Sequence, residues 1–117
     1  MNKEELFEKY KDIILSIEEV SYIARKGIEE YKAKLILRDG TNLRIAEKWV
    51  DKRLGKYSYY WLDEENRGII GWDNAPHHNE LENFPHHKHL KGERVFPSYE
   101  TDLEGALKII EKVLKET

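Results

Sequence analysis

The dipeptide Asp39-Gly40 separates two stretches in which apolar and polar residues alternate. A period of two is typical of a strand that buries one face. A two-residue turn would put the two apolar rows on opposite faces, whereas a three-residue loop over 38–40 sets Leu35 opposite Leu43. The sequence therefore predicts an antiparallel hairpin with a type I turn and a G1 bulge, in which Gly40 is left-handed. The polar face of this hairpin is a basic ladder of Lys32, Lys34, Arg44 and Lys48.

Helical spacing of apolar residues marks both ends of the chain. Residues 3–17 form one predicted helix with Asn2 as N-cap, and residues 102–116 form another with Thr101 as N-cap and Glu104 in a capping box. Predicted strands lie between them at 20–26, 28–38, 41–50, 54–62, 67–73 and around 86–90. Short connections favour antiparallel neighbours. We therefore predict an α+β fold: a single domain, 1–117, with an antiparallel meandering sheet of five to six strands and an N-terminal and a C-terminal helix on one face.

Composition limits the class of protein. A chain of 117 residues can build one core without disulfides, and the absence of cysteine favours the cytoplasm. The sequence shows neither an apolar signal segment nor a run of membrane-spanning length, so no membrane association is expected. Many Lys and Glu residues without any glutamine indicate a thermophilic source. Ten basic residues against five acidic ones in 20–62, and four against ten in 63–105, argue against a uniform polyanion-binding surface.

All five histidines lie in one segment, NAPHHNELENFPHHKH at 74–89, which contains Asn-x-Pro-His-His twice. The residue before each proline is biased towards an extended conformation, and each asparagine can start a turn. In extended chain, neighbouring side chains point in opposite directions. One residue of the pair His77 and His78, and one of the pair His86 and His87, can therefore share a site, with His89 on the side of His87.

Three interpretations of this segment stay open. It is an ordered loop whose imidazoles bond backbone and carboxylate groups. Alternatively, His87 and His89, with His77 or His78 and with Asp73 or Glu80, bind a divalent metal such as zinc. As a third alternative, two imidazoles act as general base and general acid, as metal-free RNA cleavage requires.

Aromatic residues are concentrated just before this segment, at Tyr57, Tyr59, Tyr60, Trp61 and Trp72. Half of the aromatic residues of a strand are expected to face the core. If Tyr60 instead lies exposed beside basic residues, it would suit base stacking with single-stranded RNA. The basic ladder likewise has two interpretations, a solvated strand face or a phosphate-binding surface.

Four segments combine aromatic residues, prolines and histidines in an unusual way: YSYYW at 57–61, WDNAPHH at 72–78, Glu80-Leu81 and FPHHKH at 84–89. Together they resemble the TumE family, whose members are described as toxins of toxin–antitoxin modules. Two positions depart from the family pattern, since Tyr60 stands where His is common and Asn79 where Pro is common. The resemblance implies a toxin paired with a small helix-turn-helix antitoxin, and no catalytic histidine at position 60.

We therefore predict a toxin-like, metal-independent endoribonuclease that uses a histidine acid–base pair. The predicted catalytic residues are His77, His78, His86, His87 and Asp73, with Asp73 orienting an imidazole. The predicted substrate-binding residues are Tyr60, Trp72, Lys88, His89 and Arg94, with Lys88 or Arg94 next to phosphate.

No cofactor is predicted, the alternative being zinc at His87, His89 and His77 or His78. The predicted partners are a helix-turn-helix antitoxin and RNA, and a homodimer is left open. The alternative function is a non-enzymatic metal- or RNA-binding module with a structural histidine-rich loop.

Overall fold

The computed structural model describes residues 2–91 and 94–116. Two helices flank seven strands: α1 (Lys3–Lys9), β1 (Ile14–Arg25), β2 (Ile28–Leu37), β3 (Asn42–Val50), β4 (Arg53–Leu62), β5 (Gly68–Asp73), β6 (His87–Leu90), β7 (Arg94–Pro97) and α2 (Leu103–Lys115). The strands form one antiparallel sheet in chain order, β1 to β7. The predicted α+β meander is confirmed, with seven strands rather than five to six.

The β2–β3 hairpin has the predicted register. Leu35 lies opposite Leu43. Two backbone hydrogen bonds close the three-residue loop, from the Leu37 N–H to the Thr41 carbonyl (2.9 Å) and from the Gly40 N–H to the Leu37 carbonyl (3.0 Å). Gly40 has a φ of +91°, which a residue with a Cβ seldom adopts. The alternating pattern therefore determined which face of these strands is buried.

The core lies between one face of the sheet and the two helices. Buried residues of β2, β3, β4 and β5 belong to the same cluster as buried residues of both helices: Leu6, Phe7, Ala33, Leu35, Leu37, Leu43, Ile45, Tyr57, Tyr59, Trp61, Trp72, Leu103, Ala106, Leu107 and Ile110. The apolar stripe of α2 is thus directed onto the sheet. Within the described ranges, neither helix has the length and apolarity needed to cross a membrane.

One buried carboxylate, Glu47, connects α1 to the sheet. It accepts hydrogen bonds from the Tyr59 hydroxyl (2.5 Å) and Trp49 Nε1 (3.2 Å), and it lies 2.6 Å from Lys3 Nζ. Three donors offset the cost of removing the carboxylate from water. The first residue of α1 is thereby held against β3 and β4.

The predicted helix over 3–17 is wrong beyond Lys9. The Tyr10 N–H bonds to the Leu6 carbonyl and ends α1, and the chain enters β1 at Ile14, where Leu37 lies opposite. The apolar residues at 13, 14 and 17 follow the spacing of a helix, whereas the β-branched isoleucines at all three positions also suit a strand. Pairing with β2, which satisfies backbone groups along the strand, decides between them. The N-cap Asn2 is confirmed, since its side chain accepts from the Glu5 N–H.

No strand was predicted over 94–97, where the structure has β7. Pro97 is the last residue of β7, and β7 is one of the two edge strands of the sheet. A residue without an N–H is tolerated at that place, where no neighbouring strand needs the donor.

The start of α2 also differs from the prediction. The N-cap is Asp102, not Thr101, and its side chain accepts a 2.8 Å hydrogen bond from the Gly105 N–H. Glu104 pairs with Lys9 at 2.6 Å instead of completing a capping box. A carboxylate and a hydroxyl are similar N-caps by preference, so local sequence did not separate the two.

The side of the sheet opposite the helices carries the predicted basic ladder, and we call it the open face. Cross-strand partners share a face of the sheet. Lys34 of β2 lies opposite Arg44 of β3, and Arg44 lies opposite Tyr60 of β4. The cations on this face of β2, β3 and β4 are Lys32, Lys34, Arg44, Lys48, Arg53 and Lys56. Glu18 and Glu30 also lie on this face, at its β1 and β2 end.

Candidate functional site

The sheet register brings Asp73 beside two histidines. In β5 and β6, Asp73 lies opposite His87, and Gly71 lies opposite His89. Trp72, between Gly71 and Asp73, points into the core, so Asp73, His87 and His89 share the open face. We call Asp73, His87 and His89 the Asp73 centre.

The Asp73 carboxylate accepts four hydrogen bonds or ion pairs. Oδ1 lies 2.9 Å from His87 Nε2 and 3.0 Å from the Ala75 N–H. Oδ2 lies 3.1 Å from His89 Nε2 and 3.1 Å from the Tyr60 hydroxyl. Asp73 is 7% exposed and His87 is 2% exposed. The carboxylate therefore fixes two imidazoles within a largely dry site.

The orientation of His87 has a chemical consequence. Its Nδ1 lies 3.0 Å from the Pro85 carbonyl oxygen. A carbonyl oxygen only accepts, so Nδ1 carries a proton and the neutral ring would have a lone pair on Nε2. That lone pair faces Asp73 Oδ1 at 2.9 Å. The pair is stable only with a cation between the two atoms, either a second proton or a metal ion.

A third imidazole reaches the centre from the loop between β5 and β6. The His78 ring centroid lies 5.0 Å from that of His87 and 6.2 Å from that of His89. Its Nδ1 is 3.6 Å from a Glu80 carboxylate oxygen, an ion-pair distance. Of the pair His77 and His78, His78 therefore lies next to the Asp73 centre.

Two asparagines hold this loop in place. Asn74 accepts from the Tyr57 N–H (3.0 Å) and donates to the Gly55 carbonyl (2.9 Å). Asn83 donates to the Ser98 carbonyl (2.7 Å). The expected Asn-initiated turn is not formed at position 74, because residue 76 is proline and has no N–H for the Asn74 side chain to bond. Each repeat is thus anchored to backbone at the rim of the sheet.

Tyr60 reaches Asp73 because Gly71 has no side chain. A Cβ on Gly71 would lie 2.5 Å from Tyr60 Cδ1 and would contact Cε1, so the ring lies directly over this glycine. Burial, and then the Asp73 charge, raise the pKa of Tyr60 to about 12. The hydroxyl therefore stays protonated and donates, while 38% of the residue remains exposed for contact with a ligand.

The other histidines lie outside the Asp73 centre. His77 is exposed. His86 is directed to the other side from His87, and its Nδ1 lies 2.8 Å from the Tyr57 hydroxyl. Burial, and then the neighbouring His87, lower the pKa of His86. The predicted opposite orientation within the second pair is confirmed, and of the predicted catalytic set the structure brings together His78, His87 and Asp73.

Three predicted substrate-binding residues lie away from the open face. Trp72 is fully buried, and its Nε1 donates to Glu100 at 3.1 Å. Lys88 contacts the same Glu100 at 3.2 Å, on the helix side of the sheet. Arg94 lies over the Phe96 ring, and its strand alternation also directs it away from His89. Alternation along β5, β6 and β7 directs these three side chains away from Asp73, so the structure does not bring them to the Asp73 centre.

Of the predicted substrate-binding residues, His89 and Tyr60 lie on the open face and bond Asp73. Sequence reasoning assigned His89 to substrate binding, although it bonds the same carboxylate as His87. It also missed Gly71, whose role depends on the aromatic ring across the strand. Gly71-x-Asp73 and His87-x-His89 each follow the period of a strand, but only the register between β5 and β6 brings them together.

Two kinds of chemistry suit this arrangement. His78 and His89 each have one ring nitrogen near a carboxylate, and among the described residues the other nitrogen has no hydrogen-bond partner. Such imidazoles can accept or donate a proton at a bound ligand. One ligand atom from each member of the Asp73 centre also lies within 4.8 Å of the others, as in a metal-binding set.

A comparison with protein families supports the resemblance noted in the sequence. The model of a family described as Toxin TumE matches residues 3–116. Neither the curated proteins nor the solved structures gave a significant match.

Proposed function

The chain belongs to the TumE toxin family, and from this premise we propose that it is a toxin that cleaves RNA with a histidine acid–base pair. The family membership indicates the toxin of a toxin–antitoxin module. The observation that carries the enzymatic proposal is the convergence of His78 and His89, from two segments of the chain, on the open face. Those two imidazoles replace the pairs expected from the sequence.

The separation of the two rings suits a phosphodiester between them. Their centroids are 6.2 Å apart. A general acid or base acts over a heavy-atom distance of about 3 Å, so two rings about 6 Å apart can reach two oxygens of one phosphodiester. His87 contributes differently, because both its ring nitrogens face protein atoms. It orients Asp73, which in turn orients His89.

The proposed reaction needs no water in its first step. One imidazole removes the proton of a ribose 2′-hydroxyl, and the 2′-oxygen forms a bond to phosphorus. The bond from phosphorus to the 5′-oxygen breaks, and the other imidazole protonates that oxygen. The products are a 2′,3′-cyclic phosphate and a 5′-hydroxyl end, so charge and protons balance.

Positive charge and an aromatic ring lie next to this pair on the open face. Arg44 is the cross-strand neighbour of Tyr60, and Lys34 is the neighbour of Arg44. Cations would hold the phosphates, and the half-exposed Tyr60 ring would stack on a base. The acidic residues at the far end of this face would limit the bound length of RNA.

Three asparagine variants test the proposal: His78→Asn, His89→Asn and the control His77→Asn. The purified proteins are incubated with a mixed-sequence RNA in EDTA, and the product ends are identified. We expect the first two to lose about 100-fold or more of the cleavage rate, the typical contribution of one acid or base. The control should cleave as the wild type does, because His77 is exposed and outside the centre.

Circular dichroism of each variant separates loss of the fold from loss of chemistry. Wild-type protein that leaves RNA intact, or folded variants at 78 and 89 that cleave at the wild-type rate, would contradict the ribonuclease proposal. Products with 3′-hydroxyl ends would contradict the cyclic-phosphate step.

The family membership also implies an antitoxin partner. We propose that this partner is the helix-turn-helix protein expected from the resemblance, and that the toxin acts on RNA in the cytoplasm. Co-purification of the chain with the product of a neighbouring gene tests the pairing. The homodimer stays a prediction, which sedimentation of the purified chain decides.

A further inference from the structure

We propose that the Asp73 centre, with His78, binds one divalent transition-metal ion of the zinc type. The binding does not rest on ribonuclease activity. Its consequence does, because the ion would engage the two imidazoles of the proposed acid–base pair and stop metal-free cleavage. Zinc binding would then be a form of inhibition of this toxin.

The distances within the Asp73 centre suit one ion. One ligand atom from each of Asp73, His87 and His89 lies within 4.8 Å of the others. The direct contacts are 2.9 Å from His87 Nε2 to Oδ1 and 3.1 Å from His89 Nε2 to Oδ2. Ligand atoms each about 2.1 Å from a tetrahedral zinc ion are separated by roughly 3.4 Å. Small rotations of the side chains therefore admit an ion without movement of the strands.

The second observation is the orientation of His87. Its Nδ1–H donates to the Pro85 carbonyl, and this hydrogen bond directs the Nε2 lone pair at Asp73 Oδ1. A metal-ligating histidine commonly has this arrangement, in which the outer nitrogen donates to a backbone carbonyl and the inner one binds the ion. The Nε2 atom and the carboxylate oxygen therefore both face the position that a bound ion would occupy.

The chemistry of the ligands selects the kind of ion. Two or three imidazole nitrogens with one carboxylate favour zinc, cobalt or nickel over magnesium and calcium, which prefer oxygen ligands. His78 is the available fourth ligand, since its ring lies 5.0 Å from the His87 ring on a loop segment rather than a strand. Four-coordination with His78 would leave no open position on the ion, which favours an inhibitory role over a catalytic one.

The test uses the full chain, stripped of metal by chelator dialysis. Zinc is titrated by calorimetry with elemental analysis of the loaded protein, and cobalt is added separately to record the absorption bands of tetrahedral coordination. We expect one equivalent of zinc, tetrahedral cobalt bands and a higher melting temperature with zinc.

Substitutions assign the ligands. His89→Asn and His87→Gln should lose at least about 100-fold in affinity, since even loss of an outer hydrogen bond to a ligand costs about 10–100-fold. His77→Asn should bind as the wild type does. His87 is buried, so the half-exposed His89 provides the variant whose fold is least at risk.

Three results decide the matter. Less than 0.1 equivalent of bound zinc, or unchanged affinity in folded His89→Asn protein, overturns the metal site. One bound zinc that suppresses RNA cleavage supports both the site and the inhibition. One bound zinc without which no cleavage occurs supports the site but overturns the inhibition and the metal-free ribonuclease proposal.

Discussion

Replacing Gly71 with alanine should release the Tyr60 ring from Asp73. The new Cβ would lie 2.5 Å from Tyr60 Cδ1, whereas non-bonded carbons are stable at about 3.5 Å, so the ring must move by roughly 1 Å. That movement breaks the 3.1 Å hydrogen bond from the hydroxyl to Asp73. The ring is partly exposed and can swing into solvent, so the cost is the lost contact rather than a clash in the core.

The magnitude follows from two opposing effects. A hydrogen bond to a charged group contributes about 1.5–3 kcal/mol, and exposure of Tyr60 places this one at the lower end. Replacing glycine with alanine restricts the unfolded chain and stabilises by about 0.4–1 kcal/mol. Gly71→Ala should therefore lower the free energy of unfolding by about 1 kcal/mol. Gly68→Ala is the matched control in the same strand, with no atom within 4 Å of its Cβ, and should be neutral or stabilising.

Urea unfolding followed by tryptophan fluorescence measures both variants, alone and with Tyr60→Ala. In the Tyr60→Ala background, Gly71→Ala should no longer lower the free energy of unfolding and should resemble Gly68→Ala. The coupling energy between positions 60 and 71 should therefore be about 1–2 kcal/mol. An equal loss of stability in the presence and absence of the Tyr60 ring would refute the reasoning, since the cost would then arise from the backbone of β5.

Three further outcomes are expected. Glu47→Ala should lower the free energy of unfolding by about 3 kcal/mol in a urea titration, because it leaves buried donors without their acceptor; a loss below about 1 kcal/mol would contradict the role given to this carboxylate. Asp102→Ala should cost about 1 kcal/mol and Thr101→Ala much less, because the aspartate bonds the first turn of α2; the reverse order would assign the cap to the threonine. Arg44→Ala should weaken RNA binding and reduce the slope of log affinity against log salt by about 0.7, whereas Lys88→Ala, on the helix side, should leave the slope unchanged. Filter binding at several salt concentrations measures this last pair, and an equal effect of both would contradict the open face as the RNA-binding surface.

The alternation of apolar and polar residues, with its period of two, predicted the central strands of the sheet correctly. Alternation around Asp39-Gly40 determined the register of β2 and β3, because a shift of one residue would expose the whole apolar row. The same rule predicted that His86 and His87 diverge, as observed. The helical period failed at Ile14, where the apolar spacing fits a helix but pairing with β2 forms a strand.

The sequence by itself determined the α+β meander, the basic open face and the limit of one histidine from each pair at a common site. These follow from periodicity and from the geometry of extended chain, which are local properties. Only the tertiary structure decided that the site is built on Asp73, and that His78 and His89 meet there. The pairing of β5 with β6 and the anchoring of the loop by Asn74 and Asn83 bring together residues distant in the chain, and no local pattern encodes which of them will face one carboxylate.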